Sequence, residues 1–283
     1  VTDAGAERRV CFVDGARARE GAALPLDDHG VLLGDSVFET LRAYGGRPFM
    51  LGAHLDRLCA SAAWARMTIG GDRETLAAEL ARASSEIGDA AVRIFVTRGP
   101  RSISAPLIHA KTRRIVFAEP IAIDESLYAR GATACTLAQR TFGTLESAHA
   151  KYARYLPRLL ARDEAHARGA GEPLLVDDDG CIAEAATASV FVVRGDEVIT
   201  SSVLEGLTRK IVLSDAGNLG LACVLRPITR EDVALANEMF ITSSLREVLP
   251  IVSVDGRPIG DGKVGERARA LRAALRRRAT AVT

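Results

Sequence analysis

Residues Val37-Phe38-Glu39-Thr40-Leu41-Arg42-Ala43-Tyr44, closed by Gly45-Gly46, are rich in β-branched and aromatic side chains and end in a turn pair. That combination predicts a strand entering a hairpin. Side chains alternate faces along a strand, so Phe38, Thr40, Arg42 and Tyr44 share one side. Before this stretch, 10–13 reads as a short strand closed by Asp14-Gly15. After it, Leu55, Leu58, Ala62 and Ala65 recur at helical spacing through Met67, and a second helix is expected over 73–87. Strands are expected over 91–97 and 114–118, and the polar segment 119–125, with Pro120, reads as a linker.

The second half continues the mixture. A strand is expected over 132–137 and a helix over 155–168, ended by Gly169. Two hairpins follow: 173–176 with 181–184 around Asp177-Asp178-Asp179-Gly180, and 190–193 with 197–200 around Gly195-Asp196. A helix begins near Thr208, strands return at 222–226 and 239–242, and a closing helix runs over 264–278. Strands and helices are mixed without a regular βαβ rhythm, which disfavours a doubly wound parallel sheet and points to the α+β class.

With 283 residues, 48% hydrophobic and 26% charged, the chain is an ordinary globular composition, large enough for one domain or two. A net charge of +1 offers no global attraction for nucleic acid or a membrane surface. The basic run Arg272, Arg276, Arg277 and Arg278 reads as a solvated face of the closing helix. Five scattered cysteines with no CxxC pair suggest reduced thiols in a cytoplasmic protein, with neither a disulfide framework nor a metal site. The polar start carries no secretory signal, and no apolar run approaches the ~20 residues that span a bilayer.

Few residues announce chemistry on their own. Glu184 sits among small and apolar neighbours in Cys181-Ile182-Ala183-Glu184-Ala185-Ala186, where an unpaired buried carboxylate would be costly. Lys151 precedes a predicted helix, and Gly206-Leu207-Thr208 opens another, whose free N–H groups and dipole suit an anion. Ile241-Thr242-Ser243-Ser244 ends a predicted strand in hydroxyl groups.

The order of these features resembles aminotransferase class IV, the family of branched-chain aminotransferases, D-amino-acid aminotransferases and aminodeoxychorismate lyases. The resemblance spans nearly the whole chain. It includes Gly34-Asp35-Ser36-Val37-Phe38-Glu39-Thr40-Leu41-Arg42, His54-Leu55-Asp56-Arg57-Leu58, Ala161-Arg162-Asp163-Glu164-Ala165 and Gly180-Cys181-Ile182-Ala183-Glu184. Asp261-Gly262-Lys263-Val264-Gly265-Glu266 looks like the D-amino-acid branch.

The resemblance implies a two-domain fold type IV enzyme using pyridoxal 5'-phosphate. Its expected parts are a small N-terminal α/β domain (1–118), a linker (119–124) and a larger C-terminal pseudo-barrel domain (125–283). Lys151 then matches the lysine that holds the cofactor as a Schiff base and moves the substrate proton. Glu184 matches the carboxylate that keeps the ring nitrogen protonated. Arg57, Leu207, Thr208, Ser243 and Ser244 match the phosphate cradle, Ser244 standing where the family has a threonine. Tyr155 or Tyr152 matches a tyrosine at the ring oxygen, and Thr187 a small hydroxyl residue beside the cofactor.

With Glu39 outward, the row of Phe38 would face the cofactor. Phe38, Arg42 and Arg93 look like the branched-chain type, and Arg42, Arg93, Arg98 and Arg101 are candidate carboxylate binders. Residues 100–109 lack the Arg-x-His pair of the D-amino-acid type. The activity implied is transamination between a D-amino or branched-chain amino acid and a 2-oxo acid, by a homodimer. The alternatives are 4-amino-4-deoxychorismate lyase and a cofactor-binding protein without turnover.

Overall fold

Alternation along β3 (Ser36–Tyr44) sends Val37, Leu41 and Ala43 into an apolar core. In the computed structural model, residues 9–18, 24–102, 104, 106–107, 111–138, 150–153, 155–201 and 204–281 are described. The chain divides into two units, Val1–Ala122 with His149–Ala153, and Ile123–Ala148 with Arg154–Thr283.

The first unit is built on a six-stranded antiparallel sheet. Its strands are β1 (Val10–Val13), β2 (Ala16–Arg17), β3, β4 (Arg47–Pro48), β5 (Ala90–Thr97) and β6 (Arg113–Pro120), in the order β2-β1-β6-β5-β3-β4. Helices α2 (Leu51–Trp64) and α3 (Arg73–Ile87) follow a short α1 (His29–Leu33). Leu55, Leu58 and Ala62 of α2 and Leu76, Leu80 and Ala83 of α3 meet Val92, Ile94, Val96 and Val116 of the sheet. Each fully buried leucine contributes about 1.5–3 kcal/mol. Asp72 caps α3 by accepting from Thr75 N–H at 2.8 Å. Residues 119 and 120, expected in a linker, pair with Ala91 and Ala90 as the end of β6.

The second unit holds nine strands: β7 (Ala132–Ala138), β8 (Glu172–Val176), β9 (Ile182–Ala185), β10 (Ser189–Arg194), β11 (Glu197–Thr200), β12 (Ala222–Leu225), β13 (Glu238–Ser243), β14 (Glu247–Val254) and β15 (Arg257–Pro258). They run in the order β12-β11-β10-β13-β14-β7-β8-β9, with β15 on β14. Ile182 at one end of this path bridges to Ile228, just beyond the strand at the other, with Ile182 N–H donating to Ile228 O at 2.8 Å. The sheet thereby curls upon itself around Val190, Val192, Ile199, Ile241 and Leu249.

The helices that accompany the curled sheet among the described residues are α4 (Glu125–Arg130), α5 (Leu156–Ala167), α6 (Leu207–Asn218), α7 (Arg230–Ala234) and α8 (Glu266–Ala281). Among the described residues no helix is long and apolar enough to cross a membrane. β14, a central strand, escapes the sequence expectation because Pro250 lacks an N–H and breaks its pattern. Pro250 pairs with Phe240, and the ladder toward β7 starts only at Ile251.

The basic run of α8 is not the solvated face expected. Arg272 Nε and Arg276 Nε reach Glu247 at 2.8 and 2.9 Å, both arginines also bind Glu125, and Arg278 Nε pairs with Asp215 at 3.0 Å. Glu247 is fully buried and left-handed (φ 56°) at the start of β14, and the α8 guanidiniums offset the cost of burying its carboxyl group. Glu247→Ala should therefore cost about 3 kcal/mol or more in a denaturant melt. Arg277→Ala, at an exposed position of the same helix, should stay within about 0.5 kcal/mol.

Candidate active site

β4 covers β3 only at Ala43 and Tyr44, which leaves the start of β3 with an edge to satisfy. The segment carrying Lys151 takes that edge. Phe38 N–H donates to Lys151 O at 3.0 Å, Ala153 N–H donates to Ser36 O at 2.9 Å, and Val37 bridges Tyr152. This pairing puts Lys151 with the first unit, where the expected domain boundaries assign it to the C-terminal one. Lys151 N–H also donates to Ser61 Oγ at 3.0 Å, from a serine buried on α2. The ammonium Nζ stands 4.4 Å from the Phe38 ring centroid, a cation–π distance. Phe38 in turn stacks on Phe95 at 5.4 Å, its register partner. Tyr152, the rival of Tyr155 in the sequence, stacks on Trp64 at 5.9 Å. Tyr155 lies in the second unit, as the residue before α5.

The candidate carboxylate binders separate by their surroundings. Arg98 is buried with its guanidinium spread over Asp35 (Nε 2.5 Å, Nη2 3.0 Å) and the carbonyls of Ala65 and Arg66. Such a set uses its donors to tie α2's end to the loop before β3, which is a structural task. Arg93 stands opposite Thr40 and pairs with Glu119 at 2.8 Å. Arg42 is buried on the Phe38 face with its guanidinium 4.5 Å over the Tyr44 ring. Of residues 100–109, Ile103, Ala105, Ile108 and His109 lie outside the described residues.

In the second unit Glu184 is nearly buried on β9, opposite Leu175. Arg158 in the first turn of α5 donates to Glu184 Oε1 at 3.1 Å and to Ala186 O. Thr187 lies at the turn that joins β9 to β10. Gly206 caps α6 with no side-chain bond to the helix N–H groups, and Leu207 and Thr208 open the first turn, both buried. A Cβ on Gly206 would come within 2.9 Å of Ser189 Oγ, so only glycine lets this helix start approach β10 so closely. Ser189 is the register partner of Thr242, and the chain leaves β13 there through Ser243 and Ser244. Ser243 Oγ accepts from Arg246 N–H at 3.3 Å.

A phosphate fits this donor set. It would meet an uncapped helix N-terminus, the Thr208 hydroxyl and the strand-end hydroxyls, with Gly206 keeping a Cβ clear of Ser189 at the helix start. The buried Thr242 Oγ1 has no hydrogen-bond partner among the described residues, and an anion there would satisfy it. Ser189 carried no signal in the sequence, because small hydroxyl residues in strands are common, whereas Thr242 belongs to the hydroxyl-rich strand end 241–244 already noted.

Arg57 belongs to a buried cluster. Glu39 does not lie outward: it is completely buried and faces α2, though alternation still gathers Phe38, Thr40, Arg42 and Tyr44 on the opposite face. Arg57 Nε and Nη2 donate to its two oxygens at 2.6 and 2.8 Å, and His54 Nδ1 lies 2.7 Å from Oε2. Burial would raise the Glu39 pKa, but the bonds from Arg57 and His54 outweigh it and hold the carboxyl at about 2. Burial pushes the His54 imidazole below its ordinary value, against the pull of Glu39 and with help from Arg57 and Lys151. A neutral His54 then donates its Nδ1 proton to Glu39. Sequence reasoning missed Glu39 and His54 as partners of Arg57; a charged residue on the inward face of a strand was the available signal.

The pH dependence follows from these signs. Glu39 is depressed from 4.5 to about 2, so its stabilisation is complete above pH 4.5 and lost as pH falls toward 2. The loss should be about 3 kcal/mol. Stability measured by chemical melts across this window should show that component in the wild-type chain and lack it in Glu39→Gln. His54 adds a decline that begins as pH falls through 6.5.

Comparison with known proteins shows the family. The family model for amino-transferase class IV matches residues 36–254. The chain is 32% identical over 250 residues to the branched-chain-amino-acid aminotransferase of Pseudomonas aeruginosa, covering 84% of this chain and 81% of that one. It is 29% identical over 282 residues to the D-alanine aminotransferase of Bacillus licheniformis, covering 94% and 95%. The solved structure of a T.th. branched-chain amino acid aminotransferase with pyridoxamine 5'-phosphate matches with a TM-score of 0.87 at 28% identity, over 97% of this chain and 95% of that one. The chain has the fold type IV architecture, its cofactor is pyridoxal 5'-phosphate, and it belongs to the class IV aminotransferases, a family of transaminases.

Proposed function

We propose that this transaminase moves an amino group from an amino acid, of the D- or branched-chain type, to a 2-oxo acid such as 2-oxoglutarate or pyruvate. The observation that carries it is Lys151, its backbone clamped to the edge of β3 and its amine 4.4 Å over Phe38. A lysine that must act on one atom needs such a fixed base. When bound, pyridoxal 5'-phosphate supplies an aldehyde for an amine and a ring that takes up negative charge developed at the substrate Cα. Lys151 would take the proton from the substrate Cα as general base and, as general acid, give it up at the carbon that carried the cofactor's aldehyde. Glu184 presents its carboxylate to the ring nitrogen, with Arg158 fixing its orientation. By the family resemblance the phosphate is assigned to Arg57 of the first unit and to Leu207, Thr208, Ser243 and Ser244 of the second, and Thr187 to a place beside the cofactor. Tyr155 serves the ring oxygen, since Tyr152 is engaged with Trp64.

Phe38 and Arg42, with Arg93 across the ladder, line the substrate side of the first unit, and Arg98 drops out because Asp35 and two carbonyls occupy it. Leu156, Leu159 and Leu160 form an apolar stripe on α5, exposed by 66, 51 and 49%. That stripe supports the expected homodimer, and a monomeric mass by light scattering would overturn it.

Lys151→Ala should lose both the visible absorbance of bound cofactor and all turnover; a variant retaining both would end the proposal. Glu184→Gln should keep the cofactor but slow turnover by about a hundredfold or more. A donor screen with D-alanine, L-leucine, L-glutamate and a chiral arylamine, followed by bleaching of the cofactor band, should find one that reacts. Formation of 4-aminobenzoate from aminodeoxychorismate without any acceptor would instead identify a lyase. A cofactor band that no donor bleaches would identify a binding protein without turnover.

A further inference from the structure

We infer, on the basis that Arg57 serves the cofactor phosphate, that Glu39 and His54 are positioning residues that lock the Arg57 guanidinium in one orientation. Glu39 sits between Val37 and Leu41 in the apolar face of β3, with no surface exposed to solvent. A leucine there would pack as well, and buried ion pairs are often no more stabilising than apolar substitutes. The carboxylate therefore has a task beyond packing. Its two oxygens take Nε at 2.6 Å and Nη2 at 2.8 Å, the fork geometry that fixes the plane of a guanidinium. The plane once fixed, the edge bearing Nη1 is turned away from Glu39. His54 stands one helical turn before Arg57 on α2 and donates to Oε2 at 2.7 Å, so the carboxylate is itself held from a second side.

Charge and orientation make opposite demands here. Glu39 is an anion close to the arginine that is to receive an anion. By Coulomb attraction alone, removing its charge would strengthen phosphate binding. By positioning, removing it frees a long, rotamer-rich side chain and weakens binding. The sign of the change separates the two.

The test uses the full chain and two probes, pyridoxal 5'-phosphate and pyridoxal, which lacks the phosphate. Titration of each into the apoprotein, read by absorbance, gives the two affinities. Glu39→Gln keeps the shape and should bind pyridoxal 5'-phosphate about tenfold more weakly while binding pyridoxal as the wild type does. Equal or tighter binding of the phosphate form would overturn the inference, as would an equal loss for both probes, which would mean general damage to the site. Arg57→Ala distinguishes the levels. If it leaves the affinity for pyridoxal 5'-phosphate unchanged, the phosphate role of Arg57 itself fails. If it weakens binding and Glu39→Gln does not, only the positioning role fails. Should Glu39→Gln not fold, His54 decides: His54→Gln, which keeps an N–H for Glu39, should retain affinity, and His54→Leu should lose it several-fold. Wild-type affinity in both would overturn the inference.

Discussion

The two-residue period of β3 governs everything that the first unit offers to a ligand. One face of the strand carries Glu39 into the core to meet α2, the other carries Phe38, Thr40 and Arg42, and the edge receives the segment of Lys151. These assignments cannot be changed separately. A slip of one residue would bury Phe38 and Arg42 against α2, expose Glu39 on the opposite face and move the carbonyl of Lys151 off its donor. The eight-residue register between β3 and β5, from Ser36–Thr97 to Ala43–Ala90, holds that period in place. Hydrophobic burial of Val37, Leu41 and Ala43 thus fixes the register, and the register places the chemistry.

The second unit uses a related device on a different strand. The turn after β13 presents Ser243 and Ser244, and the chain resumes at Glu247 with φ at 56°. A left-handed glutamate is unfavourable unless its surroundings hold it there. Arg272 and Arg276 do so from α8, and Arg272 also lies 3.4 Å over the ring of Tyr128, whose hydroxyl donates to Arg246 O at 2.8 Å. In both units a buried carboxylate at a strand is clamped by arginine from a helix, next to residues proposed to hold an anion. Clamps of this kind order loops that backbone pairing alone would leave loose.

The elements legible in the sequence were those whose signals are local. The strand before Gly45-Gly46, the helix Arg73–Ile87 and the hairpin around Asp177 to Gly180 all declare themselves within a short local stretch. The family motifs were legible for the same reason. What could not be read were pairings across long separations. Glu39 and Arg57 are 18 residues apart, Glu247 and Arg272 are 25, and Asp35 and Arg98 are 63. Nothing near Arg98 marks it as consumed by Asp35, and nothing near Arg272 marks it as bound to a buried acid. The place of Lys151 in the first unit was hidden likewise, since its partners Phe38 and Ser61 lie about ninety or more positions earlier.

The same distinction explains why the cofactor chemistry is better determined than the choice of donor. Groups that serve a fixed anion and a fixed lysine are held by buried electrostatics and by backbone pairing, each of which tolerates little change. The residues proposed to face the substrate stand on the other face of the sheet, where Arg42 of β3 leans on Tyr44 and Arg93 of β5 pairs with the partly buried Glu119. A partly exposed pair of that kind contributes modestly to stability, so its partners can be exchanged at small cost to the fold. Selection on substrate can therefore act on this face while Glu39, on the face behind it, keeps Arg57 where it is. A single strand with two such faces lets one scaffold keep one cofactor and vary the acid it serves.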